Sequence, residues 1–357
     1  MRIAFAPSSM LQVSPQSLES RPLGGMETAL LRLSEAIGQA GHEVILLTEE
    51  RNPRLTEPLL LPYTMVDRLG ELDAVISVRE WTPLLLPFQS KLRLFWTGDS
   101  YDLAQNIGIG DARVINKIDH LLCVSNWHAH TLSSHSGFPA EKIYILRNGL
   151  HLPYFEGSET RLRKRLIYSS TPYRGLNLLK DIYSDLVKNH SDLELHVFSG
   201  YQVYSQNEKN DFHPKLVREF EALSREMSQL PGCVMHGNVI QKALAREMMR
   251  SSILAYPNTF EETSCITAME AQAAGCVVVT SELGALPETV GDRGVIVKGK
   301  PGSPEYMQEF KSQLNRLLTD DGAWNALSSA SLAAAKQFSW KAIAEEFIKF
   351  IGHKVGA

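Results

Sequence analysis

Apolar residues fall along this chain in two rhythms that alternate from one end to the other. Short, nearly unbroken runs at Ile3–Ala6, Val44–Thr48, Ala74–Val78, Leu92–Trp96, Leu121–Val124 and Ile143–Leu146 read as buried strands. Between the first two, Met26, Ala29, Leu30, Leu33, Ala36, Ile37 and Ala40 recur at helical spacing, and Gly41 closes the helix. The alternation resumes at strand Leu166–Ser169, which leads to a helix carrying Leu176, Leu179, Ile182, Tyr183 and Leu186. Strand Leu193–Phe198, a helix with Leu216, Phe220, Leu223 and Met227, strand Cys233–His236 and an amphipathic helix over Gln241–Arg250 follow. The pattern then predicts strands at Ser252–Tyr256, Cys276–Thr280 and Gly294–Val297, and helices at Ile266–Ala274, Met307–Leu318 and Ala323–Phe338. Strands that alternate with helices imply an α/β protein made of two βα arrays.

Polar stretches mark the expected boundaries. The turn Arg147-Asn148-Gly149 closes the first array, so an N-terminal domain is expected over 1–153 and a second over 154–338, with residues 339–357 as a terminal helix. Hydrophilic residues Glu156 to Arg165, with Arg161, Arg163, Lys164 and Arg165, read as a solvated interdomain linker. Two loops are long: Pro7 to Gly24, with Ser8, Ser9, Gln12, Ser14, Pro15, Ser17 and Pro22, and the polar excursion Tyr201 to Pro214. A loop as long as the first inside a compact domain is usually functional or mobile, and the residues of the second reveal no role.

The densest chemistry lies between Tyr256 and Thr289. A loop holding Glu262, Thr263, Ser264 and Cys265 opens a helix at Ile266, whose first turn offers unpaired N–H groups and the positive end of the helix dipole to a phosphate. Glu262 before the helix and Glu270 one turn inside it bracket that point. Ionised carboxylates only accept hydrogen bonds, which suits sugar hydroxyls and not phosphate, so the combination fits a nucleotide sugar. Three other strand ends offer companions: Gly24-Gly25 before a helix, Arg174-Gly175 after Leu166–Ser169, and Ser199-Gly200 after Leu193–Phe198. An Arg fork is suited to a diphosphate.

The spacing Glu262-x7-Glu270, followed by Ala271, a small-residue helix end, Gly275, a Val-rich strand and Gly284-x-x-Pro287-Glu288, resembles the signature of retaining glycosyltransferases of family 4, the group 1 glycosyl transferases. Gly24-Gly25 followed by Glu27, Gly41-His42-Glu43-Val44, Val124-Ser125 and Asn148-Gly149 match further landmarks. The resemblance implies the GT-B fold: two Rossmann-like doubly wound domains facing a central cleft, with the C-terminal helix crossing back to the first domain. It also implies a retaining, metal-independent hexosyltransferase with a nucleotide-sugar donor, UDP- or GDP-linked, and a glycan or glycolipid acceptor, and no cofactor besides the donor. Glu262 would hold the donor sugar's hydroxyls, Glu270 the ribose, and Arg174, the helix start at Thr263–Ile266 and Gly24-Gly25 the diphosphate, while Gly237 and Val239 would lie beside the base. Two departures stand out: Gly98 replaces the His that many relatives carry before Asp99, leaving Asp99 as the acceptor contact, and the Arg174 loop is short, with Arg in place of Lys.

Composition adds exclusions. With 357 residues, 44% hydrophobic and 21% charged, the chain has enough apolar material for two cores. A net charge of −4 gives no basic field for nucleic acid. Cys123, Cys233, Cys265 and Cys276 are scattered without metal spacing, and His128, His130 and His135 lack partners for one, so they read as surface or capping histidines. No apolar run approaches the roughly 20 residues that span a bilayer, so a cytoplasmic protein is expected, with at most peripheral contact at the inner face of a membrane. A non-catalytic nucleotide-sugar or carbohydrate binder and a GT-B nucleotide-sugar epimerase stay open as alternatives.

Overall fold

The computed structural model describes residues 1–8, 11, 13–49, 54, 57–203 and 213–356. They divide into two compact units: Met1–Leu18, Gly24–Gly149 and Phe338–Ala357 in one, Glu19–Leu23 and Leu150–Gln337 in the other. The break at Gly149 lies just before the expected boundary at Pro153.

In the first unit, β1 (Arg2–Pro7), α1 (Ser17–Ser20, whose last two residues belong to the second unit), α2 (Gly25–Gln39), β2 (Glu43–Thr48), β3 (Leu59–Pro62), β4 (Glu71–Val78) and β5 (Gln89–Trp96) follow in turn. After them come α3 (Ala112–Ile115), β6 (His120–Cys123), α4 (Asn126–Ser136) and β7 (Ile143–Ile145). The strands form one parallel sheet in the order β3-β2-β1-β4-β5-β6-β7. Ile3, Ala4, Phe5 and Ala6 are fully buried, as expected of a strand covered on both faces. Strand β3 was not foreseen, because Pro58 and Pro62 bracket its leucines and Pro reads as loop. Helix α1 lies inside the loop expected to be irregular, whose Ser9 and Gln12 fall outside the described residues.

The second unit contains β8 (Leu162–Tyr168), α5 (Leu176–Leu186), β9 (Glu194–Val197), α6 (Pro214–Met227), β10 (Cys233–Met235), α7 (Gln241–Arg250) and β11 (Ser251–Tyr256). It continues with α8 (Ile266–Ala273), β12 (Val277–Ser281), α9 (Leu286–Val290), β13 (Val295–Val297), α10 (Pro304–Thr319) and α11 (Asp321–Ala335). Its six-stranded sheet runs β10-β9-β8-β11-β12-β13, again parallel throughout. Much of the excursion expected between Tyr201 and Pro214 lies outside the described residues. The last helix, α12 (Trp340–Val355), belongs to the first unit, where it packs on α2 with Phe347 and Ile351 buried.

The basic run expected to be a solvated linker is structural. Residues 162–165 begin β8, and their cations are taken up by the second unit. Arg161 donates to the carbonyl oxygens of Ser251 and Ala274, Arg163 to Asp321 Oδ1 at 2.8 Å, Lys164 to Asp192 Oδ1 at 2.7 Å, and Arg165 to Glu247. The guanidinium carbons of Arg161 and Arg163 lie 5.5 and 4.2 Å from the centre of the Trp324 ring. Long cationic side chains on an opening strand can bury their stems while their heads cap carbonyls, which charge counting alone does not reveal.

Candidate functional site

Strand order locates the place to look. In the second sheet β8 and β11 are neighbours, yet β8 leads through α5 to β9 on one side and β11 through α8 to β12 on the other. Where crossovers diverge, the carboxyl ends of the two strands leave a crevice, the usual ligand position in an open α/β sheet. The loop after β8 carries Arg174 and the loop after β11 carries Glu262.

These two side chains meet. Arg174 Nη1 donates to Glu262 Oε1 at 2.9 Å, and the Tyr256 hydroxyl donates to the same oxygen at 2.6 Å. Tyr256 is buried, accepts from Ser170 Oγ at 3.1 Å, and has its pKa raised first by burial and then by the charge of Glu262. Glu262 is itself buried, and among the described residues no hydrogen bond falls on its Oε2. That oxygen remains for a ligand's hydroxyl.

Backbone geometry holds both loops in place. Gly175 has φ +100°, and a Cβ there would lie 2.0 Å from the Pro257 carbonyl oxygen, so only glycine lets the Arg174 loop press against the β11 loop. Gly284, at φ +59°, packs as closely on Glu262, where a Cβ would meet the carbonyl oxygen at 2.3 Å. The guanidinium of Arg174 lies 4.3 Å from the centre of the Phe260 ring, and Thr259 Oγ1 donates to the Tyr173 carbonyl at 3.1 Å.

Helix α8 starts behind this pair. Cys265 is its buried N-cap residue and makes no side-chain cap, and Thr263 and Ser264 precede it. Burial raises the Cys265 thiol pKa, with Glu262 and Glu270 adding to the shift and Arg174 opposing it, so all three charges converge near this helix start. Glu270 is 6% exposed and accepts from Gln241 Nε2, the first residue of α7. Burial pushes its carboxyl up to about 7, with the Gln241 hydrogen bond opposing. Gln241 Oε1 is buried without a partner among the described residues. Gln241 was not foreseen; its position three residues after Asn238, at the opening of a helix, was the available signal.

Other expected residues are less open. Ser199 is fully buried and donates to the Ser170 carbonyl, so its hydroxyl ties two loops together. Gly237 takes φ +73° in the turn after β10, with Val239 half-buried beyond it.

Gly24, Gly25 and Asp99 belong to the first unit. Gly24 is the N-cap of α2, and the space above it holds the Glu27 side chain: a Cβ on Gly24 would lie 2.4 Å from Glu27 Oε2. Asp99 Oδ2 accepts from Arg79 Nε at 3.0 Å, and burial raises its pKa while Arg79 opposes. Over Gly98, where the resemblance expects a His, lies Met26, whose sulfur would be 2.6 Å from an added Cβ. His128 is not a surface residue: it is buried at the start of α4, where its N–H donates to the Ser125 cap, its Nδ1 accepts from the Val124 N–H at 3.3 Å, and its Nε2 meets the Asp99 carbonyl at 2.9 Å. Those partners require a neutral ring with the proton on Nε2, and burial lowers its pKa to about 4. A cavity of about 400 Å³ opens at the ends of β1 and β2, lined in part by Ser8, Ser14, Ser17, Thr48 and Glu49.

Comparison with known proteins gives these positions context. Residues 164–320 match the family model described as Glycosyl transferases group 1. The chain is 26% identical over 240 residues to the MMP alpha-(1->4)-mannosyltransferase of Mycolicibacterium hassiacum, a match covering 66% of this chain and 54% of that protein. It thus spans about half the length of that curated relative. Among solved structures, sucrose-phosphate synthase of Thermosynechococcus elongatus superposes with a TM-score of 0.73 at 16% identity, covering 99% of each chain. Anabaena Alr3699/HepE, solved in complex with UDP-glucose, has a TM-score of 0.71 at 14% identity over 99% of this chain and 100% of its own. At such identities the likeness concerns the fold, which is GT-B.

Proposed function

We propose, on the premise that residues 164–320 belong to the group 1 glycosyl transferases, that this chain transfers a hexose from a nucleoside-diphosphate sugar to a hydroxyl of a glycan or glycolipid, with retention and without a metal. The observation that carries the reading is the Arg174–Glu262 pair at the diverging strand ends of the second sheet. Cleaving a sugar–phosphate bond puts negative charge on the leaving diphosphate, and fixed cations and N–H dipoles stabilise it as it develops. Arg174 and the first turn of α8 supply both. Glu262 Oε2 would take the sugar's hydroxyls and Glu270 those of the ribose. The acceptor hydroxyl would attack from the face the diphosphate leaves, giving up its proton to the departing phosphate oxygen.

Asp99 and the hydroxyl-rich cavity beside Ser8 and Thr48 suit a polyhydroxylated acceptor. UDP and GDP are the favoured donors; the relative solved with UDP-glucose supports the first. Among the described residues no helix is long and apolar enough to cross a membrane, and we place the reaction in the cytoplasm, reaching a lipid-linked acceptor only at the membrane surface.

A second reading is favoured by Met26, which fills the space over Gly98: a nucleotide-sugar binder without transferase activity. One experiment separates the two. The protein is incubated with UDP- and GDP-sugars, with and without EDTA, and released nucleotide is measured beside Glu262→Gln. Release by the native chain, insensitive to EDTA and lost in the variant, is the expected result. Thermal stabilisation by a nucleotide sugar without release would favour the binder, and neither response would sink both readings.

A further inference from the structure

The end of β4 departs from the rest of the chain in backbone geometry. Arg79 has φ +73°, the left-handed region, and every other described residue recorded at positive φ is a glycine. A side chain in this region is disfavoured because its Cβ crowds the following carbonyl, and glycine would remove the strain. Such strain persists where the surroundings impose it, and it concentrates at functional sites.

What the strained residue does is specific. Its backbone N–H donates to the Trp96 carbonyl at 2.8 Å, fixing it against the end of β5, and its Nε donates to Asp99 Oδ2 at 3.0 Å. The side chains remain 23% and 13% exposed, so the pair is shielded but reaches the surface. Asp99 is held from three further directions: its N–H donates to Thr97 Oγ1 at 3.1 Å, and its carbonyl accepts from Asn106 Nδ2 at 2.8 Å and from His128 Nε2 at 2.9 Å. Among the described residues, no hydrogen bond falls on Asp99 Oδ1 or on the two Nη groups of Arg79. The pair therefore presents an open acceptor beside open donors. A sugar hydroxyl both donates and accepts, and it is complementary to that arrangement.

The position supports the assignment. In the first sheet β1 and β4 are neighbours whose crossovers diverge, and Arg79 follows β4, one strand of that pair, as Arg174 follows β8, one strand of the diverging pair in the other sheet. The Arg79–Asp99 pair joins the loops after β4 and β5, and the Arg174–Glu262 pair the loops after β8 and β11.

We propose that Arg79 is a positioning residue that holds the Asp99 carboxylate in place and aimed at a sugar hydroxyl, in a chain where Gly98 offers no imidazole for that task. This rests on the transferase reading above. Arg79 keeps the strained backbone because glycine there would release the strain and lose the guanidinium. The titratable groups that act on Asp99 are Arg79, which favours the carboxylate, and Glu80, which opposes it. His128 faces it as a neutral donor to its carbonyl.

The test uses the whole chain with a donor it accepts, Arg79→Gly and Arg79→Lys, reading melting temperature and the pH profile of transfer or donor hydrolysis. Arg79→Gly is expected to melt at or above the native temperature while kcat/KM falls about 100-fold, the scale of a misplaced reactive group. Its acid limb should move to higher pH, because Asp99 loses the cation that favours its ionised form. Arg79→Lys should recover part of the rate and return the limb toward its native position. Undiminished turnover in Arg79→Gly overturns the proposal with the transferase reading intact. A loss of melting temperature with proportionate loss of rate, an unmoved acid limb and no rescue by Lys assigns Arg79 a structural role and overturns it too. A native chain inactive on every donor fails the transferase reading itself, and this inference with it.

Discussion

Arg174 Nη1 and Glu262 Oε1 are 2.9 Å apart, a shielded ion pair whose side chains are 22% and 7% exposed. It joins the loops after β8 and β11, and the Tyr256 hydroxyl shares the same oxygen. Removing one partner of such a pair strands the other charge out of water, a loss of about 3 kcal/mol. Arg174→Ala and Glu262→Gln are each expected to lower stability by that order in urea unfolding. Arg174→Ala/Glu262→Gln should cost clearly less than the sum, with a coupling above about 1 kcal/mol. Strict additivity would mean that the two charges do not depend on each other.

Glu270 sets a pH dependence whose direction follows from its burial. Unfolded, its carboxyl ionises near 4.5, and folded it keeps its proton to about 7. Between those values folding takes up a proton, so this group's contribution to stability is fullest below pH 4.5, falls as pH rises and levels off above 7. Glu270→Gln removes the effect and should be more stable than native at pH 8 by roughly 3 kcal/mol, a difference that fades toward pH 4.5. Paired unfolding curves at three pH values check it; a constant difference would place the carboxyl near its ordinary ionisation.

Gly175 and Gly284 hold the site by what they lack. At φ +100° and +59°, with neighbouring backbone oxygens 2.0 and 2.3 Å from any Cβ, neither can accept alanine without moving a loop. Gly175→Ala and Gly284→Ala are each expected to cost at least about 2 kcal/mol, from left-handed strain plus the clash. On the proposed donor site, nucleotide binding should weaken in parallel, since Arg174 and Glu262 ride on those loops. A variant at native stability with native binding would show that the close approach is dispensable.

Much of this was legible beforehand because the relevant signals are local. Buried strands such as Ile3–Ala6 declare themselves as apolar runs, and the α8 start with Glu262 and Glu270 carries its spacing in plain view. What escaped depends on the partner a side chain finds. Arg161 to Arg165 read as a solvated linker because charge counts do not show that Trp324 and the carbonyls of Ser251 and Ala274 await them. Ser199 sat at the right strand end, yet its hydroxyl is spent on Ser170. Gln241 was hidden because an uncharged amide at a helix start has no signature until Glu270 is seen beside it. His128 read as one of several surface or capping histidines, and its hydrogen bond to the Asp99 carbonyl had no signal in the spacing.

Met26 and Gly98 make the last expectation, and it bears on the difference between this chain and those it resembles. The Met26 sulfur lies where a Cβ on residue 98 would be, 2.6 Å away, so a larger residue must push the thioether aside. A flexible thioether can move, but a full imidazole overfills the space, at a cost of about 1–3 kcal/mol. Gly98→His is therefore expected to destabilise the chain by that amount, and Met26→Ala in the same chain to recover at least about 0.5 kcal/mol of it beyond additivity. Urea unfolding of the two single variants and the double variant measures the coupling. Independent effects would mean that Met26 does not occupy the space, and the missing imidazole would then need another explanation. Donor hydrolysis by Met26→Ala/Gly98→His, set beside that of the native chain, tells whether the Arg79–Asp99 pair already does what an imidazole at that position would add.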